Sequence, residues 1–243
     1  MTAPDMRSLI DEARDLFDLE LTPQQADQFS IYARELIAWN EKINLTTITE
    51  PDAIRVRHFL DALSLVTVIG FDPGDKVIDV GTGAGVPGLA LAIAFPQIRV
   101  TLLDSTAKKL SFCQHVADTI GLQNVETLHA RAEDAGQNPA HREQYDVVVA
   151  RAVALLPALL EYLLPLAKVG GYCVAMKGDS AAREVEESKR ALFMLKGEAK
   201  PLAEVHLPGV EQTHYLVTVE KTARTPRPYP RKAGIPTRKP IGF

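Results

Sequence analysis

The chain has 243 residues, 46% hydrophobic and 24% charged, with a net charge of −4 at pH 7; this suits one α/β domain with attachments, or a main domain and a small one. Its two cysteines, Cys113 and Cys173, lie in apolar surroundings and exclude a disulfide framework or a metal-ligand spacing, which fits a reducing cytosol. The acidic opening from Thr2-Ala3-Pro4-Asp5 is unlike a signal peptide, and the apolar run 152–164, broken by Pro157 and Glu161, is too short to cross a bilayer, so a cytoplasmic protein is expected.

Three helical segments are predicted first. Leu9, Ala13, Leu16 and Phe17 recur at helical spacing within 5–19. Thr22-Pro23-Gln24-Gln25 then restarts a helix to about Asn40, with Thr22 as cap, Pro23 in the first turn and Gln25 closing a capping box. Pro51 begins a third helix to about Val68, lined by Ile54, Phe59, Ala62, Leu63 and Val66. Residues 1–69 are expected to form a helical cap. Strands and helices alternate after it: strand 76–80, strand 99–104, helix 108–121, strand 125–129, strand 146–149, helix 156–166, strand 171–176 and a charged helix 181–195. Two last strands, 202–207 and 214–220, should pair antiparallel through a turn at Pro208-Gly209. This alternation predicts a mostly parallel seven-stranded, Rossmann-like sheet over 70–221 with helices on both faces.

Charge is unevenly spread. Residues 1–53 hold eleven acidic and four basic side chains, whereas 221–243 hold Lys221, Arg224, Arg227, Arg231, Lys232, Arg238 and Lys239 and no acid. A polyanion responds to a local patch, so the tail 222–243 is the expected RNA contact. Tyr229 and Phe243 among these charges argue against a purely solubilising tail.

The stretch from Asp79 to Gly88 carries most of the functional information. Strand, glycine turn and helix follow in order; Gly81 permits a bend, Gly83 lets a ligand approach and Gly85 relieves crowding at the helix start. A dinucleotide fingerprint needs glycine where Val86 stands, so a pyrophosphate binder is disfavoured. Asp79 would repel phosphate and suits an ammonium group, directly or through water. Asp104, at the end of the second strand, is the expected ribose clamp. Ala132 and Glu133 follow the third strand on a loop able to flank adenine. Arg151 and Lys177 follow the fourth and fifth strands, where a transferred group meets its acceptor. Lys108 and Lys109 oppose the preferred charge at a helix start and would suit phosphate. His58 and Asp61, three apart, share a helix face beside Arg55 and Arg57. A packing role for His58 stands beside a catalytic one. His115, His129, His141, His206 and His214 show no metal spacing, and no metal is expected.

The chain also resembles the bacterial small-subunit ribosomal RNA guanine-N7 methyltransferases known as RsmG or GidB. The resemblance rests, in order, on 39–46, 57–63, 79–88, 102–105, 131–133, 149–152 and the tail 229–236, Tyr-Pro-Arg-Lys-Ala-Gly-Ile-Pro. It implies a class I S-adenosylmethionine-dependent methyltransferase fold. It also implies methylation at N7 of a guanosine in the 530 loop, position 527, of 16S ribosomal RNA. The partner would be the small ribosomal subunit or its assembly intermediate, met by a monomer with no membrane contact. Cofactor contacts would fall on Gly81, Val86, Ala132, Glu133 and Arg151, with Asp104 on the ribose. Arg151, Lys177 and His58 become the candidate catalytic residues, and Lys108, Lys109, Tyr229, Arg231, Lys232, Arg238 and Lys239 the candidate RNA contacts. Val86 replaces the family's usual aromatic or leucine, and Ala62 its common serine. An NAD-dependent oxidoreductase and a non-enzymatic RNA-binding assembly factor are the competing functions.

Overall fold

A computed structural model of the protein describes residues 4–242. Met1, Thr2, Ala3 and Phe243 lie outside the described residues, as does the expectation attached to Phe243. The helical opening comprises α1 (Ser8–Phe17) and α2 (Pro23–Asn40). The predicted capping box is present: Thr22 Oγ1 accepts from the Gln25 amide at 3.2 Å, and Gln25 Oε1 accepts from the Thr22 amide at 2.8 Å. Gln25 Nε2 also donates to the Ile93 and Ala94 carbonyls, so the cap of one helix ties down the end of another.

The third predicted helix is continuous in path but changes pitch. It runs as α3 (Pro51–Ile54), a π-helical stretch Arg55–Leu60, α4 (Asp61–Leu63) and a 3₁₀ turn Ser64–Thr67. A π-helical segment is uncommon and often marks a functional site. This one carries Arg57 and His58.

The sheet contains β1 (Lys76–Val80), β2 (Arg99–Asp104), β3 (Val125–His129), β4 (Tyr145–Arg151), β5 (Ala167–Lys177), β6 (Gly197–Ala199), β7 (Ala203–Val205) and β8 (His214–Lys221). Its order is β3-β2-β1-β4-β5-β8-β6, with β7 also paired to β8. β1 to β5 are mutually parallel; β8 runs antiparallel to β5, β6 and β7. The strand count is thus eight among the described residues, where seven were predicted. The extra strand, β6, is three residues long and begins at Gly197. A Cβ there would stand 2.7 Å from a Val219 methyl, so glycine lets it approach β8. So short a segment has no alternation for a sequence to display.

Side chains alternate across the sheet with period two. Val77, Leu102, Val147 and Val149 face one core with α2, α5 (Gly88–Ala94) and α6 (Ala107–Ile120). Ile78, Val80, Leu103, Val148 and Ala150 face the other, with α8 (Leu156–Leu163) and α10 (Lys189–Leu195). The first core also takes Leu9, Phe29, Tyr32 and Phe59, so the opening helices share the interior of the sheet domain.

Two further predictions need correction. The single helix 181–195 is divided into α9 (Ala181–Glu187) and α10 at Ser188, a buried residue whose hydroxyl donates to the Glu184 carbonyl at 2.6 Å. Ala132 and Glu133 begin a short helix, α7 (Ala132–Gln137), in place of a loop.

The basic tail is folded onto the domain. Arg142 donates to the Thr225 and Tyr229 carbonyls at 2.7 Å, Gln137 donates to the Pro230 carbonyl at 2.7 Å, and a helical turn α11 (Ile235–Arg238) follows. Lys221, counted with the tail's charge, is fully buried, its Nζ on Glu143 and on the Leu164 and Ala167 carbonyls.

Candidate active site

Strand order reverses between β1 and β4, and this switch point is where parallel α/β sheets open a crevice beyond their carboxyl ends. The glycine turn after β1 forms one side. Beneath it Asp79 is fully buried, its Oδ2 accepting from Thr82 Oγ1 at 2.6 Å and from the Gly88 amide at 2.9 Å. Gly88 makes room for this carboxylate: a Cβ would stand 2.9 Å from Asp79 Oδ2 and 2.3 Å from Leu102 Cδ2. Burial pushes the Asp79 carboxyl up to about 6, against the opposing hydrogen bonds from Thr82 and Gly88. Oδ2 is thus committed to the turn, which leaves Oδ1 for the expected contact with a ligand ammonium, direct or through water. The carboxylate shapes the turn from below.

Gly85 has φ +86, and a Cβ there would meet Leu89 Cδ1 at 2.4 Å and the Tyr32 hydroxyl at 3.0 Å. This is the predicted relief of crowding. Gly81 lines the crevice; Gly85 and Val86 are buried within the turn, and Gly83 is partly exposed.

The crevice holds about 350 Å³, within the range of small-molecule sites. Asp104, Lys109, Ala132 and Glu133 line it with Gly81. Asp104 accepts from the Gly83 amide at 3.0 Å through Oδ2 and from the Thr106 amide at 2.8 Å through Oδ1. A carboxylate has about four lone-pair sites, so each oxygen can still accept from a hydroxyl. Glu133 is buried and commits Oε1 to the Gly234 amide at 2.9 Å. Arg131, Tyr162, Gly234 and Thr237 also line the crevice. None of these four was singled out from the sequence as a cofactor contact.

A second cavity of about 510 Å³ shares Ala152 with the first and contains the three candidate catalytic residues. Arg151 Nη1 donates to the Arg57 carbonyl at 2.8 Å and to Asp61 Oδ2 at 3.0 Å, while Nη2 lies 3.1 Å from His58 Nδ1. A guanidinium only donates, so Nδ1 is the acceptor and His58 Nε2–H donates to Thr46 Oγ1, 3.0 Å away. The Arg57 carbonyl, 3.1 Å from Nδ1, is already served by Arg151. His58 and Asp61 thus meet through Arg151, not directly as their spacing suggested. His214, considered from the sequence only as a metal ligand, is the residue missed here: its Nδ1 lies 2.7 Å from Asp61 Oδ1, a contact that holds its pKa above the usual value.

Lys177 also needs correction. It was expected to face the transferred group, but its Nζ sits 2.7 Å from the Glu184 carboxylate and donates to the Ala154 carbonyl at 2.6 Å. Its charge is spent inside the protein. Cys113 is buried and its thiol is pushed up, which removes it as a nucleophile. Among the described residues no group of His, Cys, Asp and Glu could hold a metal ion. A cavity of about 360 Å³ among Lys76, Arg99 and Glu126 opens at the opposite, amino-terminal edge of the sheet and holds none of the candidate residues.

The His58 environment carries a pH signature. Burial, then the Arg151 charge, lower its pKa from 6.5 to about 4, against smaller contributions from Arg57 and Asp61. Between these values the unfolded chain binds the proton and the folded one does not, so this group makes stability rise with pH. Asp79 acts in the opposite sense between 3.8 and about 6. His58→Asn should therefore lose less stability than the unaltered protein on acidification from pH 6.5 to 4, as read by urea denaturation at each pH. Identical pH profiles would show that His58 is charged in the fold.

Crevice and fold together define a class I S-adenosylmethionine-dependent methyltransferase. The chain belongs to the family described as GidB, rRNA small subunit methyltransferase G, which matches residues 25–214. It is 47% identical over 228 residues to Ribosomal RNA small subunit methyltransferase G of Desulfitobacterium hafniense (strain Y51), covering 94% of both chains. It is 44% identical over 236 residues to the protein so named from Acetivibrio thermocellus, covering 97% of both. Among solved structures, YcgJ of Bacillus subtilis matches 68% of this chain and 100% of its own, at 13% identity and a TM-score of 0.54. TYW2 of M. jannaschii in complex with AdoMet matches over 62% and 70%, at 15% identity and 0.50. Likeness at such identities speaks for the fold alone. The chain is a methyltransferase with S-adenosylmethionine as its cofactor, which displaces both competing functions.

Proposed function

We propose that the protein methylates N7 of a guanosine in the 530 loop, position 527, of 16S ribosomal RNA, acting as a monomer in the cytoplasm on the small subunit or its assembly intermediate. The observation that carries this reading is the meeting of two cavities at Ala152, one suited to the cofactor and one walled by the helical cap, in a chain matched along its length to small-subunit rRNA methyltransferases. The residues fit S-adenosylmethionine. Asp104 would accept from the ribose hydroxyls, Ala132 and Glu133 would flank adenine, and Gly81 would let the ligand approach the main chain. Asp79 Oδ1, buried without a hydrogen bond among the described residues, would be satisfied by an ammonium or a water beneath the turn.

When bound, the cofactor supplies an electrophilic methyl on a sulfonium. Guanine N7 offers its lone pair without prior deprotonation, so no general base is required, in keeping with a buried, neutral His58. The protein's contribution is orientation. N7 gains positive charge on transfer; Arg151 paired with Asp61, and Lys177 paired with Glu184, leave little net charge to oppose it. In this reading the cap of residues 1–69 forms the acceptor side, and 70–221 with the tail 222–243 hold the cofactor. Lys108, Lys232, Arg238 and Lys239 are exposed and Lys109 lines the crevice mouth, an arrangement suited to RNA phosphates. Arg231, paired with the buried Glu161, leaves that set, whereas Tyr229, half-buried and hydrogen-bonded through its backbone, stays in it as a candidate for stacking on a base.

Small subunits lacking the modification, incubated with the protein and methyl-labelled cofactor, should carry label at one guanosine of the 530 loop. Label on another nucleotide, or on protein, would reject the assignment.

A further inference from the structure

The basic tail looked in sequence like an arm for RNA. Its seat in the fold is different. Glu161 of α8 is fully buried, and Arg231 grips it with four hydrogen bonds: its amide at 2.7 Å and Nε at 2.9 Å reach Oε1, and Nη2 at 2.6 Å and Nε at 3.1 Å reach Oε2. Arg231 Nη2 also donates to the Lys239 carbonyl at 2.8 Å, closing the intervening residues into a compact loop. Pro230 is pressed against Gly136 of α7, where a Cβ would stand 2.8 Å from the proline ring. A paired arginine at one end and a close-packed proline beside it latch the segment to α7 and α8.

The latched segment borders the cofactor crevice. Gly234 donates its amide to Glu133, and Thr237 Oγ1 lies 2.9 Å from the Tyr162 hydroxyl; all four residues line the crevice. The run Ala233-Gly234-Ile235-Pro236-Thr237 is uncharged, whereas the exposed Lys232, Arg238 and Lys239 flank it, Arg238 Nε folding back to donate to the Gly234 carbonyl at 3.0 Å. With the Gly234 amide committed to Glu133, an uncharged run that offers the Thr237 hydroxyl beside that of Tyr162 suits a neutral, hydrogen-bonding heterocycle better than a phosphate.

We infer that residues 233–237 form the adenine-side wall of the S-adenosylmethionine crevice, with Thr237 and Tyr162 as direct contacts, Gly234 orienting Glu133, and Arg231–Glu161 as the positioning latch. The inference rests on the proposed cofactor crevice and adds to it a binding element from the chain's far end. It makes the tail a determinant of cofactor affinity, whatever its flanking lysines and arginine do for RNA.

The test is calorimetric titration of S-adenosylmethionine and S-adenosylhomocysteine into the full-length protein and the variants Thr237→Val and Arg231→Met. Thr237→Val should weaken both ligands about fivefold, the order of one lost hydrogen bond. Arg231→Met should weaken them about tenfold or more as the wall detaches, with faster tryptic cleavage at Lys232 and Arg238 reporting the release. Its KM for the cofactor should rise while kcat at saturating cofactor is retained, a split that general destabilisation would not produce. Cofactor affinity within about twofold of the unaltered protein in Thr237→Val, or in Arg231→Met with a released tail, would overturn the inference. Should Arg231→Met fail to fold, Thr237→Val decides alone. Failure of the unaltered protein to bind either ligand would instead reject the cofactor crevice itself, and this wall with it.

Discussion

Alanine in place of Asp104 is expected to raise the dissociation constant for S-adenosylmethionine about 100-fold, because a charged acceptor is lost from both the ribose and the turn. The carboxylate receives the Gly83 amide on one oxygen and the Thr106 amide on the other. It therefore clamps the glycine turn after β1 to the start of α6 while keeping lone pairs for hydroxyls. Asp104→Asn keeps the shape and one acceptor, so it should lose less affinity than alanine. Isothermal titration on protein of unchanged circular dichroism would measure both. A dissociation constant for Asp104→Ala within about threefold of the unaltered protein would show that the ribose is held elsewhere.

A comparable loss, in turnover this time, is expected at Arg151. Arg151→Met should lower kcat about 100-fold, the scale of a small misplacement of reacting groups, with the KM for cofactor little changed. The guanidinium joins the end of β4 to the cap through the Arg57 carbonyl, Asp61 and His58. Without it, the 4% exposed Asp61 keeps only His214, and a buried charge that loses its partner costs about 3–5 kcal/mol. The double variant Asp61→Asn/Arg151→Met separates the two effects: stability should return, as read by urea midpoint, while kcat stays low. Recovery of kcat with stability would reduce Arg151 to a structural tie.

These two residues show how far local pattern reaches. Asp104 was legible because a strand's end places its last residue at the crevice, and the buried run Val100-Thr101-Leu102-Leu103 marks its end by giving way to an acid. Arg151 was legible as a position for the same reason. Its partners were not, since Asp61 lies 90 positions from Arg151, and His214, which shares Asp61 with it, lies 153 positions from that acid. Lys177 illustrates the opposite failure. Its place at the end of β5 was read correctly, yet a lysine's availability depends on Glu184, brought beside it by the fold.

The tail gave the largest revision. Seven cations without an acid look like a polyanion footprint only if all of them face solvent. Lys221 and Arg231 instead neutralise Glu143 and Glu161 inside the protein. No one-dimensional count of charge can anticipate that, because the acids they meet stand in other elements.

By itself the order of residues determined the alternation of strands and helices, the capping of α2, the glycine turn and the acidic strand end, all of which follow from spacing within a few residues. Tertiary structure alone decided which charges are free, which histidine meets Asp61, and that Gly234 and Thr237 of the chain's last segment line a crevice with Asp104 and Glu133. The physical reason is range: periodicity and turn chemistry act between chain neighbours, whereas burial, pairing and the shape of a cavity arise only when distant segments are packed together.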